Sequence, residues 1–508
     1  MNNADKKINT PDSWAFVLTT LLFGIATTLF FALVYPHHLH FQEQYQLFLF
    51  EKEYAIDVLS IPGGLADLIG RFLTQFFLFA RIGAIIIAVV LICIQLLTYR
   101  LLRTSKGEVL PYALSFIPSI ICCCFLCDQN ALMTAPIALL IVLILALLIQ
   151  SIGSDNWRQA LSFICIPLSY LLVGGFFIPF VIILIIGEIY RERSFRVLAI
   201  TCIFLITIIA TPLAWHRVVH YSLFQLFSGP HYYRNPEEVA YWAWYSVGAV
   251  VLLALLPKRL RAWTPKRSTL VLCLSWIVLM VFGGYSVNSH QSKAQEDIMA
   301  YDFLARNAMW NRIIMKAQRH APRNQISAVA LNLALSQRNM LAKYALSFPQ
   351  NGIAGLLPNF QSDYISPLVT SEALYRLGLI NTAQRFVFEA QEAIPDFQKS
   401  ARCYKRLAET NLINGDYEVA RKYLLALQKT LFYSSWATKT LALIENDEAV
   451  NAHPEYGKLR KSRCNEDYFF GGNDIRMILQ KQLQSNPENS TAFEYLEAVN
   501  MLIKPTRQ

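Results

Sequence analysis

Two carboxylates in the first half of this 508-residue sequence lie where a chain would leave a membrane. Glu43 follows the first apolar segment, and Asp128 separates the third from the fourth. A carboxylate in such a place can deprotonate a hydroxyl group or hold a divalent cation against a phosphate. Each also has a structural explanation, Glu43 as a solvated acid near a helix start and Asp128 as a cap of the next helix.

Four basic side chains in similar loops are candidates for binding a phosphate group. Arg71 lies in the same loop as Glu43, whereas Arg217, His231 and Arg234 share a later loop that is rich in aromatic residues. Arginine binds phosphate through two parallel hydrogen bonds. The later loop is also typical of an aromatic belt at a membrane interface, with ordinary flanking charges.

Three histidines, His37, His38 and His40, precede Glu43. No second pair of ligands follows at the spacing of a zinc site. We therefore interpret them as interfacial residues, and the cofactor stays unknown, with a divalent cation as the candidate.

The ten cysteines form no disulfide framework, because eight of them lie in apolar segments, where cysteine acts as a small hydrophobic residue. Cys403 and Cys464 lie in the polar half and can pair only if that half is extracytoplasmic. The sequence leaves open whether they meet.

Apolar segments dominate the first part of the chain, which is 55% hydrophobic overall. About 18–20 apolar residues cross a membrane as a helix. We predict nine spans, at residues 14–35, 76–99, 109–127, 131–150, 159–173, 176–190, 197–215, 240–257 and 268–288.

The short loops between these spans alternate between rich and poor in Lys and Arg, with 14 basic residues on one side and five on the other. The positive-inside rule places the N-terminus in the cytoplasm, and an odd number of spans places residues 290–508 outside. This topology depends on Gly174-Gly175 being a turn between two spans. A kink at these glycines within one long span would place the C-terminal half inside.

The net charge of +10 does not indicate nucleic-acid binding. Residues 1–289 hold 19 basic and 14 acidic residues, and residues 290–508 hold 26 and 21, so neither half is a basic patch. We predict an all-α protein with a transmembrane domain at 1–289, an outer interfacial loop at 36–75, and an extracytoplasmic helical-repeat domain at 290–508. In the interfacial loop we expect two amphipathic helices, separated by Pro62-Gly63-Gly64, the first with Phe41, Tyr45, Phe48 and Leu49 on one face.

The polar half repeats a helical pattern at an offset of 37 residues. Gly378 with Ala383 and Gly415 with Ala420 resemble the second half of a tetratricopeptide repeat, whose period is 34 residues. Stacked helix pairs of this kind form a solenoid with a concave face that binds a peptide or protein. A simple packed helical domain is the alternative.

The membrane part resembles the glycosyltransferases that use lipid-phosphate sugar donors, the GT-C superfold. In that class the first outer loop forms two juxtamembrane helices and carries an essential acidic residue, and a second acid often lies in the next outer loop. The resemblance implies catalytic roles for Glu43 and Asp128. The first loop departs from the pattern, because it has no Asp-Asp, Asp-Glu or Asp-x-Asp motif.

The whole chain resembles an uncharacterised family of bacterial multi-span envelope proteins with a helical-repeat tail. The runs that carry the resemblance begin at Phe41, Pro62, Leu331, Cys403 and Asn414. The family implies the architecture and no activity.

We therefore hypothesise a protein of the bacterial inner membrane that transfers sugar from a polyprenyl-phosphate donor at the outer face. Its repeats would recognise the acceptor or a protein or peptide partner. The alternative is a non-enzymatic, membrane-anchored scaffold for envelope assembly. A transporter is less consistent with the sequence, because paired broken spans and intramembrane charges are largely missing.

Overall fold

A computed structural model describes residues 13–105, 108–192, 194–262, 267–361, 363–464, 466–467 and 474–503. Five of the basic residues used for the topology prediction lie outside these ranges, namely Lys6, Lys7, Lys106, Arg193 and Lys266. Within the described ranges the chain is helical and has no strand; the one isolated bridge pairs Ala131 with Tyr233.

The chain divides into two compact units, each with its own hydrophobic core. The first, here the membrane unit, contains residues 1–43 and 51–292. The second, here the helical unit, contains residues 293–508 together with the short segment Gln44–Phe50.

The membrane unit contains 15 α-helices in its described residues. They are α1 (Ser13–Leu29), α2 (Pro36–Glu43), α3 (Lys52–Leu59), α4 (Gly64–Thr74), α5 (Ala80–Leu102), α6 (Val109–Leu114), α7 (Phe116–Leu126), α8 (Thr134–Gln150), α9 (Asp155–Val173), α10 (Phe177–Arg191), α11 (Phe195–Trp215), α12 (Leu223–Ser228), α13 (Tyr241–Ala254), α14 (Lys258–Arg261) and α15 (Ser268–His290). A π-helical turn, Phe30–Val34, extends α1.

Six helical stretches in the described residues are long and apolar enough to cross a membrane, fewer than the nine spans predicted. They are Trp14–Val34, Ala80–Leu102, Val109–Leu126, Asp155–Arg191, Phe195–Trp215 and Ser268–His290. Two predicted spans are shorter helices, Thr134–Gln150 and Tyr241–Ala254, whose 17 and 14 residues lie at and below the lower limit for a span. Two others, at 159–173 and 176–190, form the single stretch Asp155–Arg191.

The stretch Asp155–Arg191 reverses direction at Gly174-Gly175. Nη2 of Arg158 donates to Oε2 of Glu188 at 3.0 Å, although 30 residues separate them. A straight helix would hold these residues about 45 Å apart, at 1.5 Å per residue. Gly174 ends α9 with a φ of +61°, and a short 3₁₀ turn leads into α10. The predicted turn at Gly174-Gly175 is therefore confirmed, and the alternative of a kink is wrong.

Hydrogen bonds join the loops rich in Lys and Arg at one end of the membrane unit, here the basic end. Nη2 of Arg196 donates to Oδ1 of Asn156 at 2.6 Å, and Nζ of Lys258 donates to the Tyr190 carbonyl at 3.3 Å. Nη1 of Arg261 donates to the carbonyl of Leu102, also at 3.3 Å. These bonds connect the loops after α5, α8, α10 and α13.

The remaining loops meet at the opposite end, here the loop end. The amide of Gly63 donates to the Tyr170 carbonyl at 3.0 Å, and the Tyr170 hydroxyl donates to the Leu226 carbonyl at 3.2 Å. Gly63 has a φ of +86°, and a Cβ there would lie 3.3 Å from the amide nitrogen of Gly174, so glycine permits both the turn and the close approach. The described loops that these bonds join fall into the same two groups as in the charge count. Which membrane face each end occupies stays a prediction.

The helical unit contains 13 α-helices in its described residues. They are α16 (Lys293–Arg306), α17 (Trp310–Arg319), α18 (Gln325–Ser336), α19 (Leu341–Tyr344), α20 (Ser366–Leu377), α21 (Ile380–Glu392), α22 (Ala401–Asn414), α23 (Tyr417–Gln428), α24 (Ser434–Leu443), α25 (Asp447–Ala452), α26 (Tyr456–Lys461), α27 (Ile475–Ser485) and α28 (Ser490–Ile503). Short 3₁₀ turns lie at Ala345–Ser347, Gly352–Gly355 and Pro395–Phe397.

Two helix pairs, α20 with α21 and α22 with α23, are built in the same way. Gly378 and Gly415 end the first helix of each pair in the left-handed conformation, with φ values of +84° and +89°. Ala383 and Ala420, on the second helix of each pair, are fully buried. The predicted helix pairs are present, whereas their membership of a tetratricopeptide solenoid stays a prediction.

Candidate functional site

Asp128 lies in a tight turn at the loop end, between α7 and α8. Its Oδ1 accepts from the amide of Asn130 at 2.8 Å, which is the bond of an Asx turn. Its Oδ2 accepts from the Tyr233 hydroxyl, also at 2.8 Å. The amide of Arg234 then donates to the Asn130 carbonyl at 2.8 Å, so the loop before α8 and the loop before α13 are joined along their backbones.

A cavity of about 660 Å³ opens beside this turn. Three carboxylic acids line it, Asp128, Glu237 and Glu238. Six aromatic side chains contribute most of the remaining wall, namely Phe125, Phe224, Tyr233, Tyr241, Trp242 and Tyr245. The described lining contains no Lys or Arg. We call this the acidic cavity.

The lining of the acidic cavity suits a ligand with hydroxyl groups or a positive charge. Carboxylates accept hydrogen bonds from hydroxyl groups, and aromatic rings present apolar faces with polar edges. The volume lies within the range of small-molecule sites. Asp128 lines the cavity and accepts a hydrogen bond from Tyr233, so its carboxylate is held in place.

A second polar cluster, here the Asp67 cluster, lies in the interior of the loop end on α4. Oδ2 of Asp67 is 2.7 Å from Nη2 of Arg71, one helical turn later, and its Oδ1 accepts from the Thr134 hydroxyl at 2.9 Å. Nδ1 of His231 lies 4.0 Å from the same carboxylate, and Tyr54 hydrogen-bonds Arg71. Burial opposes ionisation of Asp67, but Arg71 and His231 outweigh burial and hold the pKa of Asp67 below its usual value.

We expect Asp67→Asn to destabilise the protein by about 3 kcal/mol at pH 7, because Arg71 would keep a buried charge without its carboxylate. Since the pKa of Asp67 is lowered on folding, its contribution exists above about pH 3.9 and disappears as the pH falls through the folded pKa. Thermal unfolding in lipid nanodiscs between pH 7 and pH 3 measures both effects. The exposed Asp57→Asn, on α3, is the matched control. Equal melting temperatures of Asp67→Asn and wild type at pH 7 would contradict this assignment.

The six predicted site residues lie in three parts of the membrane unit: near the turn that carries Asp128, in the Asp67 cluster, and at an exposed position. Asp128 lines the acidic cavity, and Arg71 and His231 belong to the Asp67 cluster. Arg217 is exposed and belongs to neither.

Glu43 and Arg234 lie close to the turn that carries Asp128. Glu43 ends α2 with 4% of its surface exposed, and its neighbour Gln42 donates to the Ala131 carbonyl at 3.0 Å. Arg234 is fully buried, with its guanidinium carbon 5.8 Å from the centre of the Phe41 ring. The chain segments that hold Glu43, Asp128 and Arg234 are therefore neighbours at the loop end.

Three acidic residues that lie in the acidic cavity and the Asp67 cluster were not among the predicted site residues. Asp67 precedes Arg71 by four residues, which is the spacing of an ion pair along one helix face, so this signal was available. Glu237 and Glu238 are adjacent to the aromatic loop that was already singled out. Only the fold shows that this loop returns to Asp128.

The histidines and cysteines form no metal site in the described residues. Nε2 of His38 lies 2.9 Å from the Leu126 carbonyl, and burial lowers the pKa of His38 to about 3, so its ring is neutral at pH 7. All ten cysteines are free thiols, Cys403 and Cys464 included.

The described part of the chain is an all-helical membrane protein with a large polar helical unit. This follows from its long apolar helices and from the exposed apolar surface of α11 and α15. The chain belongs to the family of unknown function DUF6057, which matches residues 12–505. No curated protein and no solved structure matches the chain.

Proposed function

We propose that this protein is a membrane-embedded transferase that uses a polyprenyl-phosphate-linked sugar and resembles the GT-C class. The single observation that carries the proposal is the acidic cavity, in which Asp128 stands among aromatic rings at the end of the bundle where the first loop lies. Sugars offer the hydroxyl groups and the apolar ring faces that such a lining binds. Glu43, which is buried beside this turn and does not point into bulk water, supports the same proposal.

In the proposed reaction, Asp128 takes the proton from an acceptor hydroxyl as that oxygen bonds to the anomeric carbon of the sugar. The bond from the anomeric carbon to the phosphate oxygen breaks, and polyprenyl phosphate leaves with the electron pair. Arg234, which is buried close to this turn, is the candidate to attract the phosphate through its charge, and Glu43 is the candidate second acid or ligand of a divalent cation. The helical unit would recognise the acceptor.

The proposed location is the inner membrane of a bacterium, with the basic end in the cytoplasm and the loop end at the outer face. The alternation of Lys and Arg between the loops supports this orientation. A reporter fused at Asn235 tests it directly, because this residue lies in the loop before α13. A cytoplasmic signal from that fusion would contradict an outer-face site.

Asp128→Asn should lower the rate of sugar transfer by roughly 10²–10⁴-fold, the usual contribution of a general base. The assay supplies purified protein in nanodiscs with polyprenyl-phosphate-linked hexoses, pentoses and amino sugars, and a cell-envelope extract as the source of acceptor. Release of polyprenyl phosphate is measured by mass spectrometry. Glu192→Gln, an exposed acid at the basic end, is the matched control and should retain the wild-type rate. Full activity of Asp128→Asn would overturn the role of Asp128.

The second candidate function is a non-enzymatic scaffold for envelope assembly. The observation that favours it is the contact of Gln44–Phe50 with the rest of the helical unit, which supports a surface suited to an extended peptide. A strain that lacks the gene distinguishes the two functions. Asp128→Asn should restore the strain completely if the protein is a scaffold and should fail to restore it if the protein is a transferase.

A further inference from the structure

The segment Gln44–Phe50 is part of the helical unit although it comes from the first loop of the membrane unit. It leaves α2 at Glu43 and ends before α3, and no helix is formed between them. The amide of Leu47 donates to the Lys399 carbonyl at 3.0 Å, and the amide of Phe50 donates to the Lys429 carbonyl at 2.7 Å. The helical unit therefore holds this segment by its backbone.

The side chains of the segment are held as well. Tyr45 is almost fully buried, and its hydroxyl donates to the Tyr364 carbonyl at 2.7 Å. The Tyr45 and Tyr364 rings meet edge to face at 5.2 Å. Leu47 belongs to the hydrophobic core of the helical unit, with 7% of its surface exposed.

A polar anchor precedes these contacts. Oε1 of Gln44 accepts from Nη1 of Arg402 at 3.1 Å and from Nη1 of Arg306 at 3.4 Å. Arg402 is itself fixed by Asp302 at 2.8 Å. The amide side chain of Gln44 is thus bound by charged side chains of the helical unit.

From Tyr45 onward, the contacts advance along the segment in the same order as along the helical unit, whereas Gln44 contacts Arg306 and Arg402. Tyr45 meets Tyr364, just before α20, whereas Leu47 meets Lys399, just before α22. Phe50 then meets Lys429, just after α23. Proteins bind extended peptide ligands in the same way: hydrogen bonds to the peptide backbone provide affinity, and sites for individual side chains provide specificity.

We propose that this edge of the helical unit, defined by Tyr364, Lys399, Arg402 and Lys429, is a peptide-binding site that the chain occupies with its own segment. The partner that fits it is an extended peptide with an amide side chain, an aromatic residue next to it and a leucine two positions later. Such a peptide displaces Gln44–Phe50, which frees the part of the first loop between α2 and α3. The proposal is independent of the transferase reaction.

A peptide added in trans tests this site in the full chain. Because the resident segment competes at an effective concentration in the millimolar range, the wild-type protein should bind a free peptide weakly. Leu47→Asp places a charge in the apolar site and should expel the resident segment. The probe is a fluorescent peptide with the sequence of residues 42–52, and anisotropy measures its binding to the protein in nanodiscs. We expect at least tenfold tighter binding to Leu47→Asp than to wild type.

Two controls keep the outcome interpretable. The same peptide carrying the Leu47→Asp change should bind neither protein. The variant Gln44→Ala with Tyr45→Phe removes the hydrogen bonds of these two side chains from the resident segment without adding a charge. It should also bind the unchanged peptide more tightly than wild type does. Failure of both folded variants to bind the peptide better than wild type would overturn the proposal, whatever the result of the transfer assay.

Discussion

Glu372→Ala should destabilise the helical unit by about 3–5 kcal/mol, the usual cost of removing one partner from a buried ion pair. Oε2 of Glu372, on α20, lies 2.6 Å from Nη2 of Arg406, on α22. Its Oε1 lies 3.7 Å from Nη2 of Arg402. All three side chains are largely buried, so the substitution would leave two arginines in the interior with less negative charge around them.

The remaining contacts of the arginines replace Glu372 only in part: Arg402 keeps Asp302 at 2.8 Å. Arg406 keeps Glu409 at 2.9 Å and the Tyr375 ring, whose centre lies 3.7 Å from its guanidinium carbon. Burial raises the pKa of Glu409, so this second acid is held less firmly in its charged form. The loss of Glu372 therefore removes the main carboxylate between α20 and α22.

Acidification should reduce the difference between Glu372→Ala and wild type. Burial opposes ionisation of Glu372, but Arg406 and Arg402 outweigh it and hold the pKa of this acid below its usual value. Its contribution is present above the unfolded pKa of about 4.3 and is lost as the pH falls through the folded pKa. Thermal unfolding of both proteins at pH 7 and below pH 4 should show the gap closing.

Hydrogen exchange of the amides in α20 and α22 measures the effect within the helical unit, because local stability sets their exchange rates. The control is Glu445→Ala, which removes an exposed acid that pairs with Arg421 at 2.9 Å. An exposed pair of this kind contributes about 0–1 kcal/mol. If Glu445→Ala and Glu372→Ala changed exchange equally, the assignment of the buried network as the main polar contact between α20 and α22 would be wrong.

The positions of the helices were predictable because they depend on local sequence. Each of the nine predicted apolar segments is helical in the structure, and Gly378 and Gly415 end helices where their spacing indicated. The number of candidate spans was overestimated, because Thr134–Gln150 and Tyr241–Ala254 are apolar but short. Apolar composition predicts burial, whereas the length of the helix decides whether it can cross a membrane alone.

The path of the first loop was less predictable. The spacing of Phe41, Tyr45, Phe48 and Leu49 indicated one amphipathic helix, but the helix ends at Glu43 and the following residues bind the helical unit. That part of the prediction is wrong, because contacts with residues more than 300 positions later outweigh a local periodicity. The second expected helix is present as Gly64–Thr74, after the predicted break at Gly63.

The candidate site was predictable in part. Asp128 was identified from its position in a loop, and the cavity beside it depends on the return of the loop before α13, which no local pattern shows. The pairing of Arg71 with Asp67 was readable from their spacing of four residues. The approach of His231 to the same acid was not, because more than 160 residues separate them.

The contact between Arg158 and Glu188 carries the second large expected effect. These residues join the start of α9 to the end of α10, and only 2% of the Arg158 side chain is exposed. Glu188→Ala would leave Arg158 with the Ile152 carbonyl and with Asp155, whose side chain is more than half exposed. We expect a loss of stability of about 3 kcal/mol, because a buried guanidinium would lose its main carboxylate.

Thermal unfolding in nanodiscs measures this loss, and two further variants identify its cause. Glu192→Ala removes an exposed acid one turn later and should leave the melting temperature nearly unchanged. The double variant Arg158→Leu with Glu188→Leu removes both charges and should recover most of the stability, since apolar residues often replace a buried pair at little cost. If the double variant were as unstable as Glu188→Ala, the loss would come from packing at the hairpin ends and not from an unpaired charge. Recovery would instead show that Glu188→Ala loses stability because Arg158 is left as an unpaired charge.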